Sequence, residues 1–152
     1  DLSRTYLDGL GFPHAGAGLL TSWEEASEAA EALDFNPEGW EAEEMLRAGL
    51  VARASERLDE SAIQTALEYV GLKAGEAAQD AVAYSASLGD MRDEAVLNAA
   101  AGALVQAANG AALVILSESE DEDPPHPFLA RWRLFVRGRW PVGLAGSTYN
   151  IL

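Results

Sequence analysis

Among the residues whose types and spacing could support chemistry, the densest group is Arg131-Trp132-Arg133-Leu134-Phe135-Val136-Arg137-Gly138-Arg139-Trp140. Basic side chains interleaved with aromatic rings suit phosphate neutralisation with base stacking, or the docking of an acidic protein. The alternation reads as a strand, with Arg131, Arg133, Phe135 and Arg137 on one face and Trp132, Leu134 and Val136 on the other. The rest of the chain argues against nucleic acid. Twenty-five Asp and Glu against ten Lys and Arg give a formal net charge of -15, which repels a polyanionic backbone. These arginines are therefore expected to pair with nearby acids, and no nucleic-acid partner is expected. The expected interaction surface comprises Arg131, Arg133, Phe135, Arg137 and Arg139 with Glu41 and Glu44.

Other chemistries lack their residues. With no cysteine, disulfides, thiolate nucleophiles and cysteine-ligated zinc or iron–sulfur sites are excluded by composition. The two histidines, His14 and His126, stand in neither an H-E-x-x-H nor an E-x-x-H pattern, so no metal and no cofactor is expected. Glu118–Asp123 lacks the alternating ligands and central glycine of an EF-hand loop. The run G-L-G-F-P-H-A-G-A-G has neither the preceding strand nor the spacing of a phosphate-binding loop and reads as surface loop. There is no G-x-S-x-G elbow, and Lys73, the one lysine, reads as a surface charge. Nothing in the spacing selects an acid–base pair from the carboxylates, and no catalytic residue is assigned.

The elements that would position these groups are mostly helical. A short helix is expected near Leu2–Leu10, then loop over residues 9–20, where Gly9, Gly11, Pro13, Gly16 and Gly18 break regular structure. Ser22-x-x-Glu25 is a capping box opening a helix from Trp23 to about Leu33. Asn36-Pro37 opens another, expected to run to about Leu58 with Trp40, Met45, Leu46, Leu50 and Val51 on its buried face. A third spans Glu60–Leu88, weakened at Gly71, with Gly89 as a left-handed cap and Asp90 starting the next. Leu97–Leu116 carries no charge; Asn98, Gln106, Asn109 and its many Ala and Gly residues favour a central buried helix over a membrane span. Whether that helix ends at Asn109-Gly110, leaving Ala112–Leu116 as a strand, stays open. Glu118–Pro125 reads as an exposed acidic and proline linker, and residues 128–152 as a β-hairpin or meander in which Pro141 needs a bulge. Trp23 and Trp40 are expected to anchor their helices in the core.

The expected fold is mainly α (α+β): an antiparallel, bundle-like array of four or five helices with a small C-terminal β element, in a single domain over 1–152 divided into a helical body 1–117, a linker 118–127 and the β element. The expected function is non-catalytic: an acidic domain engaging a basic protein partner, such as an immunity or antitoxin-like inhibitor or a DNA mimic, in the cytoplasm and without membrane contact. Two alternatives stand beside it. One is a small enzyme or ligand-binding domain with its pocket between helices and hairpin, for which converging polar groups in a deep pocket would be the sign. The other is a homo-oligomerisation module. The abundance of alanine and of arginine over lysine has a bacterial-like cast.

Overall fold

Polar side chains fix where the helices begin. Asp1, Ser22, Asn36 and Asp93 accept from backbone N–H groups one turn ahead at 2.9–3.2 Å, each satisfying a donor that the helix leaves unpaired. His126 does the same through Nδ1, which accepts from Phe128 N at 3.1 Å, with Pro127 at the first helical position. Glu25 completes the capping box one residue earlier than expected, accepting from the backbone N–H of Thr21 at 2.6 Å.

The computed structural model describes residues 1–32 and 35–152. Its elements are α1 (Leu2–Leu10), β1 (Gly16–Leu19), α2 (Trp23–Glu31), α3 (Pro37–Ala54), α4 (Glu60–Leu88), α5 (Glu94–Leu116), α6 (Pro127–Val136), β2 (Pro141–Ala145) and β3 (Thr148–Ile151). The fold is mainly α with a small mixed sheet. The expected α2 end at Leu33 lies outside the described residues.

α4 and α5 form a long antiparallel hairpin, and α5 also packs on α6 and α3. On the far side of α6 lies α1, and the sheet, in the order β1-β3-β2, closes that end. β1 runs parallel to β3, and β2 antiparallel with a bulge between Pro141 and Gly143. Because β2 lies at an edge, Pro141 costs the sheet no central hydrogen bond. One core joins α1, α6 and the sheet through Tyr6, Leu7, Leu10, Leu134, Leu144 and Tyr149. Another joins α3, α4, α5 and α6 through Leu50, Ile63, Leu113, Val114 and Phe128. α5 is long and apolar enough to cross a membrane by length and composition; here one side meets α4 and the other α6 and α3.

Several expectations are corrected. Residues 131–136 are helical, not a strand, because α6 is capped by His126 and its first half is covered from both sides; the hairpin is Pro141–Ala145 with Thr148–Ile151. Residues 16–19 form a strand through pairing with β3 rather than through their own propensity. α3 ends at Ala54, and its covered stripe is Gly39, Glu43, Leu46, Leu50 and Ala54, while Trp40, Met45 and Val51 are exposed. Tyr84 of α4 is also exposed. α4 passes Gly71 unbroken, and α5 passes Asn109-Gly110 unbroken to Leu116. The left-handed residue after α4 is Asp90, at φ 55, not Gly89, and α5 is capped by Asp93. Within the acidic turn Ser119 is buried, its Oγ 2.9 Å from that of Ser117, so the segment is not uniformly exposed.

Candidate functional site

Four elements each deliver one polar side chain to the floor of a cleft of about 300 Å³ between α3, α5, α6 and the sheet. Glu43 comes from α3, Arg131 from α6, Tyr6 from α1 and Tyr149 from β3. Arg131 Nη1 donates to Glu43 Oε1 at 2.7 Å, and the side chains are only 10% and 19% exposed. The Tyr6 hydroxyl donates to the same oxygen. Tyr6 and Tyr149 stack with ring centroids 4.8 Å apart. The Arg131 guanidinium lies 4.9 Å from the Phe128 ring centroid, a cation–π contact, and Gly110 of α5 makes room for both. A Cβ at Gly110 would stand 3.2 Å from Arg131 Nη2 and from the Phe128 ring.

The floor holds groups with unused capacity. Arg131 Nε and Nη2 and the Tyr149 hydroxyl are buried with no hydrogen-bond partner among the described residues. Glu43 Oε2 makes no hydrogen bond among the described residues and is not among the sealed-in atoms, so it reaches the cleft. The walls are mainly aromatic and apolar, with Phe35, Trp40, Phe135, Val142 and Leu144, and carry Asn36 and Gln106 as polar lining. Trp40 is 66% exposed and Phe35 41%.

Burial and neighbouring charges fix the protonation of the floor. Burial, then Tyr149 and Glu43, push the Tyr6 hydroxyl well above its ordinary range, and burial does the same to Tyr149. Both hydroxyls therefore stay protonated at neutral pH, and that of Tyr6 donates to Glu43. Burial opposes the charge of Arg131, but Glu43 and the two tyrosines outweigh it and raise its pKa, so the guanidinium stays charged. A hollow of about 420 Å³ beside Arg4, Asp8 and His126 is larger, but half of its lining is exposed and it lacks a buried polar cluster. No group of three or more His, Asp or Glu able to hold a metal ion occurs among the described residues.

Of the residues expected to form one interaction surface, the structure brings together only Arg131 and Phe135, four apart on α6 and both at the cleft. Arg133, Arg137 and Arg139 are exposed on other sides and make no ion pair with a described carboxylate, so the expected pairing with acids holds for Arg131 alone. Glu44 pairs locally with Arg47, and Glu41 is exposed. Trp23 packs against Trp140, with centroids 5.7 Å apart, as an anchor does, whereas Trp40 stands at the cleft mouth. Sequence reasoning missed Tyr6, Glu43 and Tyr149. For Glu43 a signal existed: it falls in the 39-43-46-50-54 stripe that α3 turns inward, where an unpartnered carboxylate would be costly.

The chain matches no protein-family model, no curated protein and no solved structure.

Proposed function

We propose that this protein is a small-molecule-binding domain, with the cleft between α3, α5, α6 and the sheet as its site. The observation that carries this reading is the convergence of Glu43, Arg131, Tyr6 and Tyr149 beneath an aromatic-walled opening. Ligand sites characteristically combine apolar walls with a few placed polar groups, and the volume of about 300 Å³ suits a fragment-sized, single-ring molecule at the lower end of the known range. The protonated tyrosines and the closed ion pair suit recognition better than bond-breaking. The test is a thermal-shift screen of single-ring fragments run in parallel on the wild type and on Ala103→Trp, which fills the cleft from α5. Fragments that stabilise the wild type but not the folded filled variant support the proposal; hits that persist in the filled variant overturn it.

A second reading, engagement of a basic protein by the acidic surface, is favoured by one observation. The carboxylates in ion pairs are Asp8, Glu43, Glu44, Glu76, Asp90, Glu118 and Glu122, which leaves exposed acids of α2 and α3 such as Glu24, Glu28, Glu31, Glu38 and Glu41 without a described cationic neighbour. An inhibitor or DNA-mimic role predicts stoichiometric capture of a basic partner whose association slows steeply with salt; capture indifferent to salt contradicts it.

A further inference from the structure

Resting on the reading of the cleft as a ligand site, we propose that its ligand is an organic cation: a protonated amine on a flat apolar body, with the ammonium on Glu43 and the body against Trp40 and Phe35.

The argument begins with the division of labour on Glu43. Its Oε1 already accepts from both Arg131 and Tyr6, whereas Oε2 accepts from no described residue and is not among the sealed-in atoms of a side chain that lines the cleft. An ionised carboxylate oxygen can take further hydrogen bonds and favours charged donors. The guanidinium that balances its charge lies behind it: Arg131 Nε and Nη2 are sealed from solvent. A ligand entering from the mouth therefore meets the carboxylate before the guanidinium.

The aromatic rings are placed for the same ligand. Trp40 precedes Glu43 by three residues on α3, so the two are neighbours on one helix face. Phe35 is seated on β2: a Cβ at Gly143, whose φ is +151, would lie 2.6 Å from Phe35 Cε1, so only glycine lets that ring lie there. A cation near an aromatic face is attracted by the ring's quadrupole, more strongly as water is excluded. Glu38 and Glu41 on the same helix, within a chain of net charge -15, raise the local concentration of cations and lower that of anions.

Isothermal titration calorimetry at neutral pH tests this with three probes sharing one ring and chain length: phenethylammonium, 2-phenylethanol and phenylacetate. The expected order is the ammonium tightest, by about tenfold over the alcohol, with the carboxylate weakest. Glu43→Gln is expected to remove the ammonium's advantage over the alcohol. Trp40→Leu, at an exposed position where folding is not at stake, is expected to weaken the ammonium several-fold, which keeps the test decisive if Glu43→Gln does not fold. Phenylacetate binding best would overturn the cation proposal in favour of an anion reaching Arg131, while the cleft remained a ligand site; equal affinity of ammonium and alcohol would also overturn it. If none of the three binds, the ligand-site reading falls, and the cation proposal with it.

Discussion

Glu43→Gln separates a structural charge cluster from a decorative one. The substitution keeps an oxygen where Arg131 Nη1 and the Tyr6 hydroxyl donate, but removes the negative charge that faces a guanidinium only 10% exposed. Removing one partner of a buried pair costs about 3–5 kcal/mol; the 19% exposure of Glu43 places the expected loss near the lower end, at about 3 kcal/mol. Arg131→Met is expected to cost less, about 2 kcal/mol, because Glu43 keeps the Tyr6 hydroxyl and a route to water, and Met sulfur still packs on Phe128. The double variant leaves no buried charge unpaired, so its cost is expected to stay near about 2 kcal/mol instead of the summed 5, a coupling of about 3 kcal/mol. Urea denaturation measures all four corners of the cycle, with shifts in midpoint at constant slope. A double variant that loses the full sum, or a Glu43→Gln within about 0.5 kcal/mol of wild type, would refute the claim that burial couples these groups.

Further outcomes follow from single contacts. Gly110→Ala is expected to cost about 1–3 kcal/mol, since the added methyl meets Arg131 Nη2 and the fully buried Phe128 ring at 3.2 Å; an unchanged urea midpoint would contradict this. Tyr149→Phe is expected to be neutral or slightly stabilising, as its hydroxyl has no partner among the described residues, whereas Tyr6→Phe should cost about 1 kcal/mol by taking a donor from Glu43; the reverse order in urea would contradict the assignment. Burial, partly offset by Glu122 and reinforced by Arg131, holds the His126 pKa below its usual value near 6.5. Because the neutral ring caps α6, its contribution is full above about pH 6.5 and lost as pH falls through the lower folded value. The stability gap between wild type and His126→Asn, which caps without titrating, should therefore move against the wild type on acidification, and a pH-independent gap would refute it.

The helices were legible where a cap and an uninterrupted period coincided: Ser22 and Asn36-Pro37 both mark elements now seen. They misled where burial came from two sides. In α6, cover from both α1 and α5 leaves the apolar order without a single polar face, so basic residues at 131, 133 and 137 imitated strand alternation. Helical geometry instead sends Arg131 and Phe135 inward and Arg133 and Arg137 outward. β1 was invisible because Gly16-Ala17-Gly18-Leu19 has little strand propensity and owes its conformation to β3, over a hundred residues later. The cleft was legible only through Arg131 and Phe135. Tyr6 and Tyr149 come from opposite ends of the chain, and no local pattern announces that their rings will stack.

The most direct test of the cleft as a ligand site is to record intermolecular nuclear Overhauser contacts from phenethylammonium to the labelled wild-type protein. Contacts from the probe's ring to Trp40 and Phe35, with its amine-bearing carbon near Glu43, are the predicted result. Contacts confined to other surfaces, such as the outer face of α4 with Tyr69 and Tyr84, would contradict the account.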